Sequence, residues 1–167
     1  VDCNKFDLCM SFDDMKAKAE KYKPAAIWVV HIGGHLAFEI EKIAAYCKEN
    51  NIILHEDCAH AAGASWNGKN PGEWGDAGFY SFYATKTITT GEGGMVVTND
   101  ETLFDRSVHF KGQGLAKHRE YWHDVIVYNY RMTNICAAIG LAQLETVENT
   151  IKVKREIAGY YKNNLKG

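Results

Sequence analysis

Residues 55–94 read HEDCAHAAGASWNGKNPGEWGDAGFYSFYATKTITTGEGG and contain an acid and a lysine that each follow a short apolar segment. Asp57 comes just after residues 52–54 (IIL), and Lys86 comes just after residues 77–83 (AGFYSFY). Short segments rich in branched and aromatic residues are typical of buried strands. If both strands belong to one parallel sheet, Asp57 and Lys86 lie at its carboxyl edge, where open α/β sheets bind ligands.

An acid and a lysine on opposite sides of such a crevice form the pair that pyridoxal 5'-phosphate (PLP) requires. The lysine amine forms a Schiff base with the cofactor, and the carboxylate keeps the pyridine nitrogen protonated so that the ring can accept electrons. The sequence therefore indicates Lys86 and Asp57 as candidate cofactor-binding residues, with Lys86 also the candidate catalytic residue.

The segments before Asp57 predict a strand, a helix and a second strand. Ser11 begins a short helix that Pro24 ends, and residues 25–32 (AAIWVVHI) form a continuous apolar segment of strand length. Apolar residues then recur every three or four positions over residues 36–47, which predicts an amphipathic helix of about four turns. Because short links join the three elements, the two strands are predicted to be parallel.

The second half of the chain predicts one more strand and three helices. Residues 63–76 read as a loop, and residues 87–94 read as a Thr- and Gly-rich turn. Residues 95–98 form the fourth strand, Thr98 or Asn99 caps the next helix, and residues 111–125 read as a loop. Thr133 caps a helix that runs to Leu144, and a further helix follows over residues 147–165. Four strands that alternate with helices indicate an α/β domain.

The composition excludes several classes of protein. The 167 residues are 46% hydrophobic and 24% charged, which argues against disorder, and the net charge of −2 argues against a nucleic-acid or membrane-surface partner. The longest apolar segment is too short to span a bilayer. Five scattered cysteines without a C-x-x-C pair argue against a disulfide framework or structural zinc and favour the cytoplasm. Cys58, beside Asp57, is interpreted as a small residue that fills space.

Four short motifs occur in a fixed order along the chain: EDCAH at residues 56–60, SFYATK at 81–86, GEGG at 91–94 and YNYRM at 128–132. Together they closely resemble the motifs of the DegT/DnrJ/StrS-type sugar aminotransferases, which are PLP-dependent enzymes of fold type I. The resemblance extends over essentially the whole chain. It implies the PLP-binding large domain, a mostly parallel sheet flanked by helices.

The resemblance also implies individual roles. Lys86 would be the Schiff-base lysine and the proton carrier of transamination, and Asp57 would pair with the ring nitrogen. Ser81 would bind the cofactor phosphate, and Asn129 would bind the phosphate of a neighbouring subunit's PLP in a homodimer. His60 stands where the family often has Gln, so its role is open, and Arg131 is either a structural or a substrate contact.

The implied reaction is amino transfer, with glutamate as donor, to a nucleotide-linked keto-sugar, in amino-sugar or surface-polysaccharide or antibiotic-sugar biosynthesis. Some relatives replace the lysine with histidine and catalyse dehydration, and Lys86 argues against that branch. Other relatives aminate cyclitols or build an aminobenzoate, and these branches stay open. On this comparison residues 1–167 correspond to the central and C-terminal part of the large domain, without the N-terminal segment and the small C-terminal domain. We therefore expect the 167 residues alone to bind PLP weakly and not to form a competent enzyme.

Two other interpretations are open. The chain could be a non-catalytic fragment or degenerate copy that lacks a complete site. Alternatively, His55, Asp57 and His60 form an H-x-D-x-x-H pattern, and with His31 or His35 they could bind the metal of a hydrolase. This second reading leaves Lys86, Ser81 and the GEGG segment unexplained.

Overall fold

A computed structural model describes residues 1–165. The helices are α1 (Phe12–Tyr22), α2 (Ile40–Glu49), α3 (Glu101–Lys111), α4 (Asn134–Leu144) and α5 (Val147–Asn164), and a 3-10 turn covers Ile32–Gly34. The strands are β1 (Ala26–Val30), β2 (Ile53–Asp57), β3 (Ala77–Ser81) and β4 (Gly94–Val97). They form one sheet in the order β1-β2-β3-β4.

The first strand–helix–strand unit is confirmed. β1 and β2 are parallel, with Val30 beside Asp57. Ser11 caps α1, its side chain accepting from the Asp14 N–H. The predicted start of α2 is wrong, because the helix begins at Ile40 and has ten residues. Leu36 is buried in the loop before the helix. The apolar periodicity of the sequence therefore starts in a loop that is part of the core.

The general alternation of strands and helices does not hold between β2 and β4, where the predicted loop and turn join the strands directly. β2 and β3 are parallel, and β3 and β4 are antiparallel. Within residues 1–165, loops rather than helices join β2 to β3 and β3 to β4. β3 also ends at Ser81, two residues earlier than predicted. The sheet is therefore mixed, with helices beside it.

Helix capping in the second half of the chain is partly as predicted. Thr133 caps α4 by accepting from the Cys136 N–H at 3.2 Å. The predicted cap of α3 is wrong, because Asp100 caps this helix by accepting from the Leu103 N–H. The Thr98 hydroxyl instead donates to the carbonyl of Asp76, which attaches the end of β4 to the start of β3.

The core lies on one face of the sheet. Side chains from β1 and β2 pack there against α1 and α2, and the fully buried ones include Val29, Leu54, Met15, Ile40 and Ile43. The opposite face carries Trp28, Val30 and Ile53, which are 40–49% exposed. Within residues 1–165, α3, α4 and α5 contain no fully buried residue. No helix in that range is long and apolar enough to cross a bilayer.

Candidate active site

The carboxyl ends of β2 and β3 place the predicted acid, serine and lysine at one edge of the sheet. Asp57 is the last residue of β2 and pairs in register with Phe79 of β3. Ser81 is the last residue of β3. Lys86 follows in a half-buried turn in which its own N–H donates to the carbonyl of Tyr83 at 3.0 Å.

The side chains of these three residues keep free hydrogen-bonding capacity. The Asp57 Oδ1 atom accepts from the Ala59 N–H at 3.0 Å, whereas Oδ2 accepts no hydrogen bond within residues 1–165. Ser81 Oγ accepts from the Tyr83 N–H at 3.3 Å, which leaves its hydroxyl proton available. In the same range the Lys86 amine has neither a hydrogen-bond partner nor a carboxylate partner. These three side chains fit PLP, which needs an acceptor for its ring N–H, an amine for its carbonyl and donors for its phosphate.

His60 links the loop after β2 to the turn after β1. Its Nδ1 atom accepts a long hydrogen bond of 3.5 Å from the Gly33 N–H. The ring is exposed. With Nδ1 serving as the acceptor, Nε2 is the nitrogen that can donate to a ligand in the neutral ring.

Asn129 lies in a different part of the molecule, a segment that folds back on itself after α3. Isolated antiparallel bridges join Gly112 to Asn129 and Leu115 to His123. The Asn129 Oδ1 atom accepts from the N–H and Nε–H of Arg131 at 3.2 and 3.1 Å. Within residues 1–165, Asn129 makes no hydrogen bond to Asp57, Ser81 or Lys86. The structure therefore gives Arg131 a structural contact with Asn129.

Sequence reasoning missed Glu56, which is fully buried beside Asp57. Its two carboxylate oxygens accept from the backbone N–H groups of Gly72, Trp74 and Gly75 at 2.8, 2.8 and 2.6 Å. Burial raises the pKa of Glu56, but these three hydrogen bonds and a fourth from His31 outweigh it and hold the pKa below its usual value. The one available sequence signal was the position of this acid two residues after Leu54, which puts both side chains on the inward face of a strand.

His31 donates the fourth hydrogen bond to Glu56. The His31 Nδ1 atom accepts from the Ala37 N–H at 3.1 Å, so this nitrogen carries no proton. Nε2 then carries the proton and donates to Glu56 Oε2 at 2.9 Å. A neutral histidine is thus held in one tautomer between the loop before α2 and strand β2.

The structure does not support the metal-site interpretation. His55 packs against the rings of Trp28 and Phe79, at centroid distances of 5.2 and 5.5 Å. Within residues 1–165, the only group of at least three potential metal ligands with neighbouring atoms is His31, Glu56 and Cys58.

The atoms of that group are already engaged. Both nitrogens of His31 and both carboxylate oxygens of Glu56 make the hydrogen bonds described above. Burial, with the nearby Glu56 charge as a smaller cause, raises the pKa of Cys58 to about 12. This thiol stays protonated and fills space, as predicted.

Residues 91–93 of the GEGG segment form a tight turn between β3 and β4, and Gly94 begins β4. Gly91 and Gly93 have φ angles of 81° and 150°. The Thr90 hydroxyl donates to the carbonyl of Glu92, and the Gly91 N–H donates to Thr89 Oγ1. A side chain at Gly93 would collide with Thr90, so this turn requires glycine.

Comparison with known proteins identifies the family of the chain. The chain is 58% identical to a GDP-perosamine synthase of Escherichia coli O157:H7 over 93% of its length and 48% identical to one of Vibrio cholerae over 96%. It spans 42% and 43% of these two relatives. The crystal structure of the sugar aminotransferase CalS13 from Micromonospora echinospora superposes with a TM-score of 0.88 and 32% identity, over all of this chain and 48% of that one. The model of the DegT/DnrJ/EryC1/StrS aminotransferase family matches residues 1–167, and the chain belongs to this family.

Proposed function

We propose that the chain forms part of a PLP-dependent aminotransferase that transfers an amino group from glutamate to a GDP-linked keto-sugar. The observation that carries the proposal is the placement, after the carboxyl ends of two neighbouring strands, of Asp57 with a free carboxylate oxygen and of Lys86 with a free amine. The names of the two GDP-perosamine synthases support the sugar and the nucleotide. The chain spans about two-fifths of these relatives, and the proposed activity is that of a polypeptide of their full length.

Bound PLP would supply an electron sink for carbanion chemistry at the substrate carbon. Asp57 would hold a proton at the ring nitrogen through Oδ2, while its Oδ1 stays fixed by the Ala59 N–H. Lys86 would bond to the cofactor carbonyl and, once released, carry the proton between carbon atoms.

Two further side chains would position the cofactor. The Ser81 hydroxyl would donate to a phosphate oxygen, and His60 Nε2 would donate to the phenolic oxygen. The hydrogen bond from Gly33 to Nδ1 supports this role for His60, because it orients the ring.

The proposed assembly is a homodimer in the cytoplasm. The segment that carries Asn129 exposes large apolar side chains, among them Ile126 at 103% and Tyr128 at 70%. Such a patch favours a partner surface, and two-fold dimers are the commonest assembly. The five cysteines are all free, as expected in a reducing compartment.

Borohydride trapping tests the central assignment. The 167-residue chain is incubated with excess PLP and reduced, and the labelled peptides are mapped by mass spectrometry. We expect preferential labelling of Lys86, with Lys69 and Lys111 as internal controls for surface lysines. Equal or stronger labelling of either control would contradict the assignment of Lys86.

A further inference from the structure

A pocket of about 310 Å³ lies beside the candidate active site, at the same edge of the sheet. The turn after β1 contributes Gly33 and Gly34 to its wall, and the loop after β2 contributes His60. Thr87, the residue after Lys86, forms another part. Helix α5 closes the remaining side. The walls of the pocket therefore include the loop that follows Asp57 and the turn that contains Lys86.

The lining of the pocket carries positive charge without a compensating acid. Lys154 and Arg155 of α5 face it together with His60, and no Asp or Glu contributes to the lining. Lys154 Nζ donates to the neutral Thr87 Oγ1 at 3.2 Å. Within residues 1–165, neither Lys154 nor Arg155 forms an ion pair with a carboxylate.

Lys154 is the cation of this pocket that contacts the turn after β3. Arg155 also borders a neighbouring groove, and the lining of that groove includes the acids Glu148 and Glu156. The contact between Lys154 and Thr87 instead directs the ammonium group toward the turn that contains Lys86. An uncompensated ammonium in a concave site attracts anions and forms strong hydrogen bonds with oxyanions.

Glycine residues allow the walls to approach one another. Gly63 has a φ of 84°, and a methyl group at this position would collide with Ile151 of α5. The absence of a side chain at Gly63 thus lets α5 dock against the loop after β2. Gly33 and Gly34, with φ angles of 72° and 95°, expose bare backbone to the pocket. The cavity is a consequence of this close contact between α5 and the β2 loop.

We propose that this pocket is an oxyanion subsite in which Lys154, assisted by Arg155 and His60, binds a carboxylate or phosphate group of a substrate. Its link to the reaction rests on the proposed function, because Thr87 joins the pocket to Lys86. Two substrates of that reaction carry the required chemistry: the amino donor has carboxylates, and the nucleotide sugar has a diphosphate. The charge and shape of the pocket are independent of the cofactor.

NMR titration of the ¹⁵N-labelled 167-residue chain tests the subsite without any cofactor. Sodium pyrophosphate and sodium glutarate are added in separate experiments at constant ionic strength. We expect saturable shifts of the Gly33, Gly34 and Gly63 amide signals with at least one anion. Shifts with pyrophosphate alone assign the site to the nucleotide, and shifts with glutarate alone assign it to the donor. Shifts with both identify a general oxyanion site.

Matched charge changes on α5 supply the control. Lys154→Gln should weaken binding roughly tenfold, as expected for the loss of one charge-assisted hydrogen bond. Lys162→Gln removes the same charge from the same helix outside the pocket and should leave binding unchanged. Absence of saturable shifts, or equal effects of the two variants, would overturn the proposal. Either result would leave the assignment of Lys86 intact, because borohydride trapping tests that residue separately.

Discussion

At the residue scale, one strand end carries two acids with opposite surroundings. Glu56 points into the core, where four hydrogen bonds saturate its carboxylate. Asp57 points to the other face and keeps one oxygen free. The alternation of a strand produces this division of roles, because neighbouring side chains face opposite sides of the sheet. The saturated acid maintains the structure, and the free one is available for chemistry.

The free oxygen of Asp57 leads to a prediction on activity. Asp57→Asn should leave PLP attachment possible but reduce amino transfer roughly a thousandfold, because a neutral amide cannot hold the ring nitrogen protonated. Turnover with glutamate would be measured in a polypeptide of full family length. Glu120→Gln, which also replaces a carboxylate by an amide but at an exposed position, serves as the control. Retention of more than about a third of the turnover would exclude Asp57 as the ring partner.

The saturated carboxylate of Glu56 leads to a prediction on stability. Because its pKa is lowered in the folded chain, ionised Glu56 contributes stability above its unfolded pKa of about 4.3. This contribution is lost as the pH falls from there through the lower folded value. Urea unfolding at a series of pH values between 6 and 3 should show the loss.

The variant Glu56→Gln isolates this effect. At pH 6 the amide should lower the free energy of unfolding by about 3 kcal/mol, the cost typical of breaking a buried charged network. Its unfolding free energy should also depend less on pH below 4.5 than that of the native chain. Identical pH profiles for the two proteins would show that folding does not lower the pKa of Glu56.

At the element scale, a loop rather than a crossover helix joins the parallel strands β2 and β3, as predicted for residues 63–76. Its backbone N–H groups at Gly72, Trp74 and Gly75 are satisfied by Glu56 instead of by helical carbonyls. The Asp76 N–H donates to the carbonyl of Leu54. Hydrogen bonds from four backbone N–H groups thus attach residues 71–76 to β2, next to the start of β3.

The close approach of this loop makes Gly75 sensitive to substitution. A methyl group at Gly75 would lie 2.5 Å from the backbone oxygen of Leu54. Gly75→Ala should thus lower the free energy of unfolding by about 1–3 kcal/mol, as overpacking does. Gly159→Ala, in α5 with open space around it, should instead raise stability by up to about 1 kcal/mol. Equal effects in denaturant titrations would refute the proposed packing.

At the scale of the whole molecule, the described residues leave much apolar surface uncovered. One face of the sheet exposes Trp28 and Ile53, and the segment after α3 exposes Tyr121, Ile126 and Tyr128. Patches of this kind mark surfaces that bind other chains or other parts of a longer chain. The described core therefore covers one face of the sheet and leaves the other face open.

Subunit mixing tests whether Asn129 serves a partner's site. Lys86→Ala and Asn129→Ala polypeptides of full family length would each be inactive. In a mixed dimer one site contains both substitutions and the other contains neither. Random exchange of two-fold dimers makes about half of them mixed, so mixing should restore up to about a quarter of native activity. The Lys86→Ala protein mixed with itself is the control. Mixtures that exchange subunits, shown by mass spectrometry, yet stay inactive would contradict sharing.

The sequence by itself determined the features that depend on neighbouring residues. The apolar segments before Asp57 and Lys86 predicted β2 and β3, and Ser11 and Thr133 predicted helix caps that the structure confirms. Such signals are readable because strand alternation and capping involve residues only a few positions apart. The four motifs added the family, and the family model confirms it.

Only the tertiary structure decided the contacts between distant segments. Glu56 accepts from the N–H groups of a loop 16 to 19 residues away in the sequence. The hydrogen bond between His31 and Glu56 spans 25 residues, and the one between Lys154 and Thr87 spans 67 residues. Contacts at such separations leave no periodicity in the sequence, because the polar partners come together only when the sheet and its loops fold. For the same reason the true start of α2 and the cationic pocket beneath α5 emerged from the packed chain alone.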